Sequence, residues 1–113
     1  MKTPLLLAID TSCDETSVSV VEGQKIWSNA IASQIELHKQ YGGVFPTVAK
    51  QAHIENIEPT ITAALKRAGK TEKDLNGVAV TQGPGLAPAL EIGIQKAKDL
   101  GKKLNIPVIP VNH

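Results

Sequence analysis

An acidic, hydroxyl-rich stretch at residues 10–16 contains the first side chains that suit chemistry. It reads Asp-Thr-Ser-Cys-Asp-Glu-Thr, and three of the chain's eleven acids fall within it. An acid at the end of an apolar run suits a hydrated Mg²⁺ ion, and the N–H groups and hydroxyls of a following turn suit phosphate oxygens. The stretch indicates a magnesium–phosphate site at Asp10, Thr11 and Ser12. The same residues also suit an ordinary polar turn between two strands.

A glycine-rich stretch at residues 81–88 forms the second candidate. It reads Thr-Gln-Gly-Pro-Gly-Leu-Ala-Pro and lies between an apolar run and a helical pattern. Glycines let a ligand approach the backbone, and a helix N-terminus offers unpaired N–H groups to an anion. Gly83 and Gly85 are therefore candidate phosphate-binding residues. The alternative is a tight strand-to-helix turn in which the glycines serve only the backbone.

Histidines and the single cysteine give weaker signals. His113 follows an apolar strand pattern, a position where ligands often bind in α/β folds. His53 lies beside an apolar helical stripe, which favours a structural role, and His38 falls in a predicted loop. Cys13 is the only cysteine, so the chain forms no internal disulfide, and a reducing, cytosolic location is expected.

The elements that must position these residues follow from apolar periodicity. The pattern predicts the order β-β-β-α-β-α-β, with the first three strands as an antiparallel meander. Apolar helical stripes begin with Ile54, after Pro46, and with Leu86. Pro59 is expected to kink the first helix or to start a second one near Glu58, and Gly69 is expected to end the helix. The predicted strands are Leu5–Ile9, Ser17–Val21, Ile26–Ala32, Gly77–Thr81 and Pro107–Val111. The two prolines of the last strand suit a strand end or an edge strand.

Composition excludes several classes of protein. The chain has 113 residues, 42% hydrophobic and 20% charged, which is typical of a globular domain and excludes disorder. Its formal charge of +1 gives no global electrostatic signature for nucleic-acid binding. The N-terminal apolar run is too short for a signal peptide or a membrane span, so no membrane association is expected.

Four stretches, taken together, resemble the N-terminal lobe of the TsaD family of tRNA threonylcarbamoyladenosine transferases, formerly called glycoproteases. The match spans nearly the whole chain, and the set is more specific than any one piece. The matching stretches are residues 7–16, Gly42 to Pro46 with Ala49 and His53, Thr81 to Leu86, and Pro107 to His113.

The resemblance implies a fold and an activity. The fold would be an RNase H-like first lobe of the actin/Hsp70/sugar-kinase (ASKHA) class, an α/β lobe with a mixed sheet. The activity would be transfer of threonylcarbamoyl from threonylcarbamoyl-AMP to N6 of the adenosine beside the anticodon, in tRNAs reading codons that start with A. Asp10 to Ser12 would correspond to the loop that meets phosphate and metal.

The resemblance also implies a metal ion and a set of partners. His113 would be the first histidine of an H-x-x-x-H pattern that holds iron or zinc with a later aspartate. The chain would then be a lobe truncated before the second histidine and inactive alone. Its ligand would be Mg-ATP or threonylcarbamoyl-AMP, and we expect the truncated lobe to hold no cofactor stably. Partners would be TsaB and TsaE in bacteria or KEOPS subunits elsewhere, with tRNA as substrate. We expect the isolated lobe to form a homodimer through its unpartnered face.

Two other functions remain open at this point. TsaB, the family's catalytically inactive paralogue, shares the first lobe and acts as a scaffold and dimerisation partner. A sugar-kinase-like ATPase would also share the fold. Gly42 to His53 and the terminal His113 favour the transferase branch.

Overall fold

A single five-stranded mixed sheet carries two helices. The computed structural model describes residues 3–12, 15–33, 46–83 and 87–112. The strands are β1 (Leu5–Asp10), β2 (Glu15–Glu22), β3 (Lys25–Ser33), β4 (Gly77–Gly83) and β5 (Val108–Asn112). The helices are α1 (Pro46–Ala68) and α2 (Ala87–Leu104), with a short 3-10 helix at Glu72–Asp74. The predicted element order and α/β class are confirmed.

The strand order in the sheet is β3-β2-β1-β4-β5. The first three strands form the predicted antiparallel meander, in which Ile9 is paired with Val18. β4 is parallel to β1, and β5 is parallel to β4. The carboxyl ends of the parallel strands β1, β4 and β5 therefore lie at the same end of the sheet.

Both helices cover the same face of the sheet. α1 packs on β2 and β3, α2 packs on β4, and the two helices contact each other. Alternate strand residues point into this layer, and Leu7, Val18, Val20 and Val78 are completely buried there. Burying one such side chain contributes about 1.5–3 kcal/mol, so the face under the helices is the core of the lobe.

Left-handed residues end both helices. Gly69 has φ 68°, its N–H donates to the Lys66 carbonyl, and the Lys70 N–H donates to the Leu65 carbonyl. This is the hydrogen-bond pattern of a Schellman cap, which confirms the predicted stop at Gly69. Asn105, with φ 56°, ends α2 in a similar way.

The first helix departs from the sequence expectation in two places. α1 is one helix that runs through Pro59, so the division considered near Glu58 does not occur. Ile54, expected in the apolar stripe, is 45% exposed, while the neighbouring His53 is fully buried. Packing against β2 and β3 outweighs the local cost of the proline.

The last strand lies at an edge of the sheet, as its prolines predict. Pro110 lies within β5, which pairs with β4 on one side and has no strand on its other side among the described residues. Proline has no N–H to donate to a ladder, so an edge strand accommodates it.

Among the described residues, no helix is both long and apolar enough to cross a membrane.

Candidate functional site

The carboxyl ends of the three parallel strands bring two of the predicted motifs together. Register pairs Ile9 of β1 with Val80 of β4, and Thr81 of β4 with Val111 of β5. Asp10, the last residue of β1, therefore lies beside the last residues of β4, and the glycine-rich stretch lies next to the acidic loop. Ligands in open α/β sheets bind at such carboxyl ends.

Asp10 fixes the first turn of the loop after β1. Its Oδ1 accepts a hydrogen bond of 2.7 Å from the backbone N–H of Ser12. The Asp10 side chain is half-buried, and Ser12 is buried. This aspartate-to-backbone bond closes a three-residue turn from Asp10 to Ser12. The carboxylate is thereby held at the end of the strand, where the sequence predicts a cation ligand.

Thr11 joins this loop to the second helix. Its hydroxyl donates to the Ala89 carbonyl at 2.7 Å and accepts from the Gly93 N–H at 3.2 Å. Only 1% of Thr11 is exposed. A Cβ at Gly93 would lie 2.7 Å from the Thr11 Oγ1, so a glycine is needed for this close approach. The Thr11 hydroxyl thus positions the loop against α2.

An open depression of about 250 Å³ lies on the sheet face opposite the helices. Ser17 lies directly across from Asp10 in the antiparallel pair, and Ser19 lies across from Ala8. Asp10 is the one ionisable residue among those that line it. Its lining residues are Ala8, Ile9, Asp10, Ser17, Ser19, Ala79, Val80, Thr81 and Val111. The depression therefore presents hydroxyls and a single carboxylate to a ligand.

The glycine-rich turn is described only in part. Gly83 ends β4, and a Cβ built there meets no atom within 4 Å. Packing in the described part of the chain thus leaves space at Gly83. Gly85 lies outside the described residues, and so do Cys13, His38 and His113. Their predicted or alternative roles stay predictions.

A buried pair holds the far side of the acidic loop. The Thr16 hydroxyl and the His53 Nδ1 are 2.7 Å apart, and both side chains are fully buried. Thr16 lies near the start of β2, just after the loop, and His53 lies in α1. His53 is structural, as its place beside the apolar stripe predicts.

The described residues alone supply no metal centre. Within residues 3–12, 15–33, 46–83 and 87–112, no three His, Cys, Asp or Glu side chains lie close enough to hold an ion. Asp10 by itself suits a hydrated Mg²⁺ ion bound together with a phosphate, because Mg²⁺ keeps several waters and takes one or two carboxylates.

Two positioning contacts were not predicted from the sequence. The Thr11–Gly93 contact had one sequence signal, a glycine inside an apolar helical stripe, which indicates close packing. The partner of His53 had none, because 37 residues separate it from Thr16. Such pairings depend on how α1 lies across the sheet.

Solved structures of similar fold confirm the fold class. YeaZ from Pseudomonas aeruginosa superposes with a TM-score of 0.74 over 96% of this chain and 43% of its own, at 22% identity. An uncharacterised protein with similarity to peptidase YEAZ from the same organism gives a TM-score of 0.73 at 24% identity, with the same coverage. Both therefore share the α/β fold of this chain.

Sequence comparison identifies the family. Residues 25–113 match the model of TsaD, tRNA N6-adenosine threonylcarbamoyltransferase. Proteins of that name are 54% identical over 113 residues in Staphylococcus saprophyticus, 54% over 110 in Lacticaseibacillus casei and 51% over 113 in Listeria monocytogenes. These alignments cover 96–99% of this chain and 32–33% of each relative, so the chain spans about a third of their length. The chain therefore belongs to the TsaD family of tRNA N6-adenosine threonylcarbamoyltransferases.

Proposed function

We propose that this chain supplies the N-terminal lobe of an enzyme that transfers threonylcarbamoyl from threonylcarbamoyl-AMP to tRNA. The acceptor would be N6 of the adenosine beside the anticodon, in tRNAs reading codons that start with A. One observation carries the site assignment. Asp10 and the glycine-rich turn end adjacent parallel strands, and a short hydrogen bond fixes the Asp10 carboxylate there.

In this proposal the lobe holds the phosphate of the adenylate. Asp10 would bind a hydrated Mg²⁺ through its carboxylate, and N–H groups of the loop and of the turn around Gly83 and Gly85 would meet phosphate oxygens. The Ser12 N–H already donates to Asp10. Thr11 would act as a positioning residue, since its hydroxyl is bound to α2.

The transfer itself would need more than this lobe. His113 would be the first ligand of the family's iron or zinc ion, which polarises the reacting group when bound. The described residues hold no complete ligand set. We therefore propose that the 113-residue chain binds nucleotide only weakly, through its phosphate groups, and does not catalyse transfer alone.

Two alternatives predict different ligands. A TsaB-like scaffold would use the same fold without binding nucleotide, and the fold shared with YeaZ gives this alternative its support. A sugar-kinase-like lobe would bind ATP and turn it over with a sugar. The family match over residues 25–113 favours the transferase over both.

The proposed partners follow from the family and from the sheet face that neither of the two described helices covers, which we call the uncovered sheet face. TsaB and TsaE, or KEOPS subunits, are the proposed protein partners, and tRNA is the proposed substrate. The sheet face opposite the helices exposes Ile31, Ile109 and Val111, at 53%, 40% and 43%. Such an apolar face favours association, so we propose that a second copy covers it when the chain is alone. The cytosolic location stays a prediction.

Calorimetric titration with ATP and Mg²⁺ tests the proposed site. The matched variants are Asp10→Asn and Asp99→Asn, which remove the same charge. Asp99 is exposed on α2, where it accepts a bond from Gln95. Binding by the wild type that is lost in Asp10→Asn and kept in Asp99→Asn supports the proposal.

Other outcomes contradict it in distinguishable ways. Equal binding by the wild type and by Asp10→Asn would remove Asp10 from the site. An absence of binding by the wild type would favour the scaffold alternative. Turnover of ATP only in the presence of sugars would favour the kinase alternative.

A further inference from the structure

A tryptophan with two lysines over its ring lies at the β3 edge of the sheet. Lys25 Nζ lies 3.7 Å from the centroid of the Trp27 ring, and Lys70 Nζ lies 4.6 Å from it. Pairing shifts here from Val20 with Ser28 to Val21 with Ile26, so Trp27 occupies a β-bulge. A bulge redirects a side chain, and Trp27 packs against the core under the helices.

A third cation lies on the same edge. Arg67 Nη1 donates to the backbone carbonyl of Asn29 at 3.3 Å. The preference of cations for a helix C-terminus accounts for Arg67 in the last turn of α1. It does not account for Lys25, which comes from the β2–β3 hairpin.

An acidic side chain lies near each of the two lysines. Salt bridges among the described residues involve neither Lys25 nor Lys70. Glu22 lies across from Lys25 in the hairpin. Asp74, near Lys70, accepts bonds from the N–H and hydroxyl of Thr71. The two ammonium groups share one ring and lie within a Debye length of each other, about 10 Å at 0.1 M salt.

We propose that Lys25, Trp27, Arg67 and Lys70 form a contact surface for the phosphate backbone of RNA, which we call the β3-edge basic patch. The inference rests on the proposed function, which supplies tRNA as the polyanion. Lysine ammonium groups bind phosphates as point charges, and arginine presents planar N–H donors. The face of the indole attracts both ammonium groups and so positions the two lysines beside each other.

The position of the patch favours a macromolecule over a small anion. Lys25 lies at the Glu22 end of β2, whereas Asp10 lies across from Ser17 near its other end. Five residue steps along β2, from Ser17 to Glu22, separate them, or about 17 Å at 3.3 Å per residue. One nucleotide does not span that distance, but a folded RNA does. The formal charge of +1 for the whole chain conceals this local cluster.

Anisotropy of a labelled, unmodified tRNA transcript tests the patch on the full 113-residue chain. The variant is Lys25→Gln with Lys70→Gln. The control is Lys98→Gln with Lys102→Gln on exposed positions of α2, which changes the net charge equally. Circular dichroism verifies that both variants are folded. Trp27 is the only tryptophan, so its fluorescence reports contact at the patch directly.

We expect the patch variant to bind tRNA at least fivefold more weakly, with a log–log salt dependence shallower by about one to two. The control should remain within twofold of the wild type, and tRNA should change Trp27 emission. Equal weakening in both variants would show a net-charge effect and overturn the patch. So would a Trp27 response to inorganic phosphate alone as large as the response to tRNA.

The two proposals fail separately. The ATP titration of Asp10→Asn tests only the site at the strand ends. The tRNA anisotropy of the patch variant tests only the patch. Patch-dependent tRNA binding without nucleotide binding would keep the patch and contradict the proposed function. Nucleotide binding that depends on Asp10, with an unchanged tRNA affinity in the patch variant, would keep the proposed function and contradict the patch.

Discussion

The Thr11 hydroxyl accepts a hydrogen bond of 3.2 Å from the backbone N–H of Gly93. The same hydroxyl donates to Ala89, one helical turn earlier. This contact attaches the loop after β1 to α2, the helix that follows the glycine-rich turn. The two halves of the candidate site are therefore mechanically joined, and a change at either contact should reach the other.

Replacing Gly93 with alanine tests that connection. The new Cβ would lie 2.7 Å from the Thr11 Oγ1. Alanine gains about 1 kcal/mol of helix propensity, but overpacking costs about 1–3 kcal/mol. We expect a net loss of about 1 kcal/mol in the free energy of unfolding, measured with urea. In a Thr11→Ala background the collision disappears, so the same substitution should then stabilise. Stabilisation of the wild type by Gly93→Ala would contradict the account.

Removing the Thr16 hydroxyl should destabilise the start of β2. Thr16→Val keeps the shape but removes the bond to the buried His53 Nδ1. An unsatisfied buried polar group costs about 1–3 kcal/mol, and urea unfolding should show a loss of that size. Thr16→Ser keeps the hydroxyl and serves as control. If the serine variant is the less stable of the two, the lost methyl group and not the hydrogen bond determines stability here.

Association of copies should depend on the uncovered sheet face. Ile31→Ser removes an exposed apolar side chain from that face, and Ile54→Ser makes the same change on α1, where 45% of the residue is exposed. Sedimentation velocity over a range of concentrations should show weaker association for Ile31→Ser only. A monomeric wild type at all concentrations would remove the proposed dimer.

Lowering the pH should remove the stabilisation that the Asp74 carboxylate gives to the 3-10 helix. The Thr71 N–H, donating to the Asp74 carboxylate, is the main cause of a lowered pKa for Asp74, and the Thr71 hydroxyl adds to it. Because the pKa of Asp74 is lower in the folded state than in the unfolded state, its carboxylate stabilises the fold at pH values above the unfolded-state pKa. That stabilisation is lost as the pH falls through the folded-state pKa. Melting temperatures of wild type and Asp74→Asn should therefore differ near neutral pH and converge in acid. A gap that widens on acidification would contradict this sign.

Local signals in the sequence predicted most of the fold but few of its long-range contacts. Gly69 ended α1 as expected because a left-handed cap depends on one residue and its neighbours. Pro110 indicated an edge strand for a similarly local reason. The burial of His53 in place of Ile54 depends on how α1 crosses the sheet, which periodicity does not specify. For the site, Asp10 and Gly83 were predicted to lie at strand ends and do so, whereas the contact with Gly93 required the structure.

Chemical-shift mapping with ATP and Mg²⁺ on the isotopically labelled chain tests the central claim most directly. A single phosphate site at the strand ends predicts that the amide signals of Asp10, Thr11 and Ser12 shift together with those of Gly83 and Gly85. Asp10→Asn should abolish both sets of shifts. Shifts confined to one of the two segments, or centred on other residues, would contradict the claim that the acidic loop and the glycine-rich turn bind one ligand.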